Sequence, residues 1–525
     1  MQGYMAKALK SRASKQDYSS PRQLILAGFE SPFSNQLLSA NRWVTLANNI
    51  PWDALVSTYN RQLGNKFTGA GSINPRVAIG ALIIKHLCDI SDRETILQIQ
   101  ENMYMQYFIG YSSFSNEVPF DASLFVDIRK RLTLEHINEI NEKILGIISK
   151  KECGKVESNS DNKDAVPAIA ALPIDNSNTA ESKSVPDPVN DTGKDTKPTH
   201  EGSLLMDATA CPQDIAYPTD LNLLNDAREK SEELIDELQA NLTTAKPRTY
   251  RETARKKYLQ TAQKKKKTSK EIRKAIRQQL QYLKRNISSI HKLLGQYDKI
   301  PLRKKQYKYL LVIQTLYDQQ KYMYDKKVHS VEDRIVSIHQ PHVRPIVRGK
   351  TNANVEFGAK IQVGLVNGIA FLDELSWDAF NEGTRLEKSV EKYKARFGFY
   401  PMEVLADKIY CTRANRRWLK DKDIKLRAKP LGRPSSNGAS SIPVRPGERN
   451  PIEGKFGQAK TAYGMNRIKA RLKETSQSWI ASIVLVLNLI NIIGRASSCL
   501  ICKLTAWISY YLSYRDFPKN QICPT

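Results

Sequence analysis

The chain lacks most of what would commit it to a secreted, membrane-spanning or nucleotide-dependent class. Its seven cysteines (Cys88, Cys153, Cys211, Cys411, Cys499, Cys502 and Cys523) are scattered and odd in number, which argues against a disulfide framework. Cys499 and Cys502 form one Cys-x-x-Cys with no second pair, so buried thiols are expected there rather than zinc. The first stretch, MQGYMAKALKSRASKQDYSS, is basic and polar. No secretory signal is expected, and a reducing cytoplasm is the simplest setting. The longest apolar run, Trp479 to Ile493, carries Asn488 and Asn491 and falls short of the roughly 20 residues a span needs. It reads as a buried helix. No Walker loop or dinucleotide fingerprint occurs, so no nucleotide cofactor is implied. Histidine is also scarce. His339 and His342 have His-x-x-His spacing, but without a neighbouring Cys or third His they read as loop residues.

Acid is scarce relative to base: 54 Asp and Glu against 81 Lys and Arg, a formal charge of +27. Such a field attracts polyanions, and DNA, RNA and anionic membranes all satisfy it. At 525 residues the chain has room for about three domains. After a tail (1–39), residues 40–150 read as a helical domain. Ala78, Leu82, Ile83 and Leu87 recur at helical spacing after Pro75, and Ser91-Asp-Arg-Glu94 is a capping-box pattern. Asp121 is expected to cap the next helix, with Leu124, Ile128 and Leu132 on its face. Short helices joined by tight turns suit a helix-turn-helix DNA-binding module, or a plain helical bundle. Residues 151–203 have no apolar period and read as a disordered linker. Residues 220–350 read as a helical insertion. Between 246 and 285 it holds 16 Lys or Arg against Glu252 and Glu271. The run Lys264, Lys265, Lys266 and Lys267 is either a solvated loop or a phosphate contact; so one-sided an excess favours phosphate.

Residues 204–219 and 351–495 read as one mixed α/β core interrupted by that insertion, followed by a tail (496–525). Residues 203–212 form a short apolar strand containing Asp207, and 402–407 another that ends at Asp407. Asn367-Gly368 joins two alternating stretches as a hairpin. Carboxylates at strand ends suit Mg2+, which prefers oxygen ligands, although for either Asp alone a strand-terminating turn is the commoner explanation. Glu453 likewise has a structural alternative: Asn450 as N-cap, Pro451 as first helical residue and Glu453 three after the cap make a capping box.

At these positions the chain resembles the DDE transposases of bacterial insertion sequences, in the superfamily with the signature Tyr-x2-Arg-x3-Glu-x6-Lys. Arg449, Glu453 and Lys460 stand at those intervals. Met206-Asp-Ala-Thr-Ala-Cys-Pro212 with Tyr217-Pro-Thr-Asp-Leu-Asn222, and Leu405-Ala-Asp-Lys408, are similar to the first and second acidic segments. Ile73-Asn-Pro-Arg76, Ser91-Asp-Arg-Glu94 and Arg129-Lys-Arg-Leu132 resemble the family's InsH-like N-terminal domain. The signature Tyr is replaced by Pro446, so one DNA contact is missing or comes from elsewhere. The resemblance implies an α+β multidomain protein with an RNase H-like core. Asp207, Asp407 and Glu453 would be catalytic and bind two Mg2+ ions, with Mn2+ as the alternative. Arg449 and Lys460 would pair with phosphates near the cut, and Lys455 and Arg467 are weaker DNA-contact candidates. The implied partners are double-stranded DNA (terminal inverted repeats and target) and further copies of the chain, with no membrane, in a bacterial cytoplasm at the nucleoid. Two other functions stay open: a structure-selective nuclease on the same core, and a catalytically inert DNA-binding relative.

Overall fold

A helical period before residue 150 and a two-residue period after 353 are realised as helices and a mixed sheet. The computed structural model describes residues 20, 33, 37–61, 73–153, 200–240, 242–347, 355–429, 447–492 and 494, with backbone alone for 144–153. Most of both tails and of the expected linker, together with Pro446, Cys499 and Cys502, lies outside the described residues.

The N-terminal helices are Arg42–Asn49, Trp52–Arg61, Pro75–Cys88, Asp92–Glu101, Met103–Phe108, Leu124–Arg131 and Leu134–Cys153. Local chemistry starts them. The Asn74 side chain accepts from the Arg76 N–H ahead of Pro75, and Ser91 Oγ accepts from the Glu94 N–H. Asp121 does not cap its helix as expected. Its carboxylate accepts from the Ser123 N–H at 2.8 Å, an Asx-type turn that ends one residue before the helix begins at Leu124.

In the sheet, β1 (Ser203–Pro212) is central. It runs antiparallel to β3 (Val355–Val366) and parallel to β5 (Glu403–Leu405), which runs parallel to β6 (Lys425–Arg427). β4 (Ile369–Ser376) folds back on β3 through Asn367 and Gly368, at φ 47° and 73°, the positive pair that a two-residue hairpin turn requires. At Gly358, β3 comes so near β1 that a Cβ would lie 2.1 Å from the Cys211 carbonyl oxygen. β2 (Arg344–Val347) pairs the beginning of β3. Four residues including Pro345 show no period, so β2 has no signal in the sequence.

Helices Leu386–Phe397 and Arg413–Asp421 cover one face of the sheet, packing on Leu204, Met206 and Val404. Helices Asn450–Ala462 and Lys473–Ile492 belong to the other face, where the N-terminal helices join the same hydrophobic core. Trp479 is the pivot of that junction. Lys85 Nζ and the Arg129 guanidinium lie 4.3 and 5.0 Å from its ring, and His86 meets it edge-on. Both buried cations share Asp92, which with the aromatic face offsets their desolvation.

Helix Lys473–Ile492 is long and apolar enough to cross a membrane, yet 78% of its most apolar window is buried within the protein. Each large aliphatic side chain so buried contributes about 1.5–3 kcal/mol. Asn488 explains the polar break in the run: it donates to the Ala370 carbonyl and accepts the Ala370 N–H, both at 2.8 Å.

The segment after β1 forms helices Asp220–Gln239, Arg251–Ala262, Ser269–Leu294 and Lys304–Lys326 around a separate apolar cluster that includes Leu224, Leu283 and Ile313. Helix Arg251–Ala262 buries only Ala254, so it left no apolar period to read. The whole is a mixed helix-and-sheet protein of the α+β type.

Candidate active site

Parallel pairing of β1 with β5 matches Leu205 to Leu405. Two residues beyond that pair stand Asp207, still within β1, and Asp407, in the turn that leaves β5. Asp407 follows β5 and caps the turn Lys408–Tyr410, accepting the Lys408 N–H at 2.7 Å. Glu453 comes from the first turn of helix Asn450–Ala462.

What joins the three is Arg449. Its Nη2 lies 3.2 Å from Asp207 Oδ2 and 3.9 Å from Glu453 Oε1, and its Nη1 lies 3.3 Å from Asp407 Oδ1. The first two contacts share one nitrogen, so those carboxylate oxygens are no farther apart than the sum of the two distances. The capping box expected at Asn450 does not form. Asn450 is the first helical residue, Arg449 before it already has near-helical backbone angles, and no side chain caps the end. Glu453 lies within ion-pair distance of Arg449 instead. Immediately upstream, Glu448 pairs with Arg427 of β6, which anchors the chain where it enters the site.

Burial raises the Asp207 pKa to about 6. The Ala208 N–H, donated at 2.8 Å, and Arg449 oppose that shift, while Glu382 and Asp407 add to it. Glu382, a further acid in this field, forms an ion pair with Lys360 at 2.9 Å. Nothing in the sequence singled it out, because it sits in a short 3-10 turn, Glu382–Arg385, remote from every motif. The Tyr410 hydroxyl, buried beneath the site, donates to Gln362 at 2.9 Å, and burial drives its pKa well upward.

Among the described residues no group of three His, Cys, Asp or Glu is arranged to hold a metal ion. The donor set nevertheless fits a divalent cation in kind: three carboxylates, hard oxygen ligands, gathered around one positive charge. Their present spacing is that of a guanidinium cradle. The other residues expected to touch DNA are dispersed. Lys455 and Lys460 lie on the Glu453 helix, half-buried. Arg467 is exposed and paired with Asp214 at 2.9 Å. Lys264–Lys267 form the turn between two insertion helices; Lys264 pairs with Glu271 at 2.6 Å, Lys267 donates to the Ala262 carbonyl, and Lys265 and Lys266 are exposed. The two histidines have separate partners: His339 meets the Tyr309 hydroxyl at 3.0 Å, and His342 packs edge-on against Trp377, burial lowering its pKa to about 4.

Comparison with known proteins adds two family matches. The family model described as Transposase DDE domain matches residues 404–490, a stretch containing Asp407, Glu453 and Lys460. The one described as Transposase domain (DUF772) matches residues 32–131. Asp207 and the insertion lie outside both. The protein described as "Uncharacterized protein ORF8 in nfe locus" of Rhizobium meliloti is 33% identical over 100 residues, which are 18% of this chain and 46% of that protein. The chain therefore spans about half the length of that relative. No solved structure matches. Two transposase family models thus match in separate parts of one chain, and the chain is consistent with an insertion-sequence DDE transposase.

Proposed function

We propose that this protein is a transposase that cleaves DNA at the ends of an insertion sequence and joins those ends to a target, with Asp207, Asp407 and Glu453 as catalytic and metal-binding residues. The observation that carries the proposal is their convergence on one guanidinium from a central strand, its parallel neighbour and a helix on the sheet's face. A central strand antiparallel to a hairpin on one side and parallel to two short strands on the other suits the RNase H-like core that the family resemblance implies. Residues 204–219 and 351–495 would be that core, joined by β2 from the end of the segment 220–350, with 40–150 the DNA-binding domain and the helices before β2 a basic arm.

Bound among these oxygens, a pair of Mg2+ or Mn2+ ions would stabilise the attacking and leaving oxygens of an in-line displacement. The chain's own part is placement. β1 carries Asp207, the turn after β5 carries Asp407, and the helix brings Glu453 from the side. Lys460, two turns beyond Glu453, would take a phosphate next to the cut, with Lys455 and Arg467 flanking it. Arg129 is committed to Asp92 and Trp479 and Arg131 donates to the Tyr59 hydroxyl, so in this helix the exposed Lys130, held only by the exposed Asp127 at 3.1 Å, would meet DNA.

On the insertion, the Arg285 guanidinium lies over the rings of Tyr250 and Tyr282 at 4.5 and 5.2 Å, and that of Arg248 over Tyr250 at 5.4 Å. Neither arginine faces an acidic partner among the described residues. Stacking orients a guanidinium while leaving its donor edge available to phosphate. Two element ends must be processed together, so the working form is a homo-oligomer on DNA, in the bacterial cytoplasm.

The test uses the full chain, duplex carrying the element's terminal repeats, and Mg2+. Joined products are expected. Asp207→Asn, Asp407→Asn and Glu453→Gln should each lower their formation on the order of 10^3-fold or more, the loss of several kcal/mol of charge stabilisation, while DNA binding persists. Cleavage without joining would instead identify a nuclease. Full activity in the three variants would overturn the assignment.

A further inference from the structure

We infer that Arg449 is an internal stand-in for the catalytic cation: it holds the three carboxylates together when the site is without metal, and metal binding displaces it toward DNA. The inference rests on the triad reading proposed above. Three negative side chains from three separate elements would repel one another, and the contact that spans all of them is this one guanidinium. A divalent ion on the same oxygens would meet a fixed positive charge. Arginine does not lose its proton at accessible pH, so it relieves that conflict only by moving.

The surroundings suit a side chain that leaves. The helix end beside it carries no side-chain cap that its departure would break. The backbone just before it stays anchored, because Glu448 is tied to Arg427, which also reaches Glu403 at 3.4 Å. The guanidinium can therefore swing out while helix Asn450–Ala462, and Glu453 with it, remains in place. Once outside the carboxylates it is a positioned donor for a phosphate. Metal and DNA then bind with positive coupling, each strengthening the other by the same factor.

The experiment is a Mn2+ titration by calorimetry of the full chain, free of DNA, comparing wild type with Arg449→Ala, Arg449→Gln and Arg449→Lys. Removing the competing charge should tighten Mn2+ binding by about fivefold or more, within the usual range of coupling between sites, in both neutral variants. Lysine should restore affinity toward wild type, a response that loss of packing would not produce. Adding a short duplex should tighten Mn2+ binding to wild type and leave Arg449→Gln unchanged. Equal or weaker Mn2+ affinity in both neutral variants, with binding still abolished by Asp207→Asn, would overturn the exchange and leave the triad standing. No triad-dependent Mn2+ binding in any protein would remove the triad itself, and the exchange with it.

Discussion

The candidate site and the basic insertion treat charge in opposite ways. At the candidate site, three acids share one internal cation, and Asp207 is sufficiently buried for its pKa to rise to about 6. In the insertion, 16 Lys and Arg accompany two acids between 246 and 285, and most of that charge is exposed, on helix surface and in the loops between helices. Some is offset by the neighbouring acidic helix: Asp236 takes Lys246 and Arg251 at 2.7 and 2.9 Å. A few arginines are laid on tyrosine rings instead. Charge concentrated in one partly buried place is stabilised by a counter-ion close by, whereas dispersed, exposed charge is solvated until a polyanion replaces the water and salt around it.

That contrast can be broken from the acidic side first. With the Asp207 pKa at about 6 in the folded protein and 3.8 as the ordinary value, the folded state binds more protons than the unfolded one between those limits. Stability therefore falls as pH rises through that window, by about 3 kcal/mol at most. The metal-free Asp207→Asn protein should resist urea better than wild type above pH 6, and the advantage should vanish near pH 4. An advantage independent of pH would show that the buried charge is not its origin.

A smaller effect is expected on the basic side. Replacing Arg248 and Arg285 together by Ala should reduce the slope of log affinity for DNA against log salt by about 2, near 0.9 for each lost phosphate contact. Lys264 and Lys267, already engaged by Glu271 and the Ala262 carbonyl, should change it less when replaced as a pair. Fluorescence anisotropy across a KCl series distinguishes the two pairs, and equal slopes would undo the stacked-arginine assignment.

Smallest of all is the helix start beneath that surface. Thr268 and Glu271 form a reciprocal capping box, so Thr268→Ala should cost about 1 kcal/mol in denaturant melts and leave the salt slope unchanged. A changed slope would mean that the turn itself touches DNA.

Much of the framework was legible because its causes are local. Asn367-Gly368 marks the hairpin by demanding positive φ at two positions, and helix Leu386–Phe397 ends at Gly398 with φ 85°, the left-handed cap that glycine supplies. The acidic residues were legible through their strand ends and the family resemblance. Other features gave no local signal. β2 is four residues long, helix Arg251–Ala262 has no apolar face, and Asn450 had the chemistry of a cap but became the first helical residue. The pairing of Lys85 and Arg129 with Trp479 links residues about 350–390 positions apart, beyond the reach of any periodicity.

By itself, the sequence determined where chains of i to i+4 contacts and alternating side chains would make helices and strands, and where base would outnumber acid. Tertiary structure alone decided that Asp207, Asp407 and Glu453 share one neighbour, and that the neighbour is Arg449. The reason is range. Secondary structure follows from interactions a few residues long, whereas the field at a carboxylate depends on which charges folding carries within a few ångströms of it and on how much water it removes.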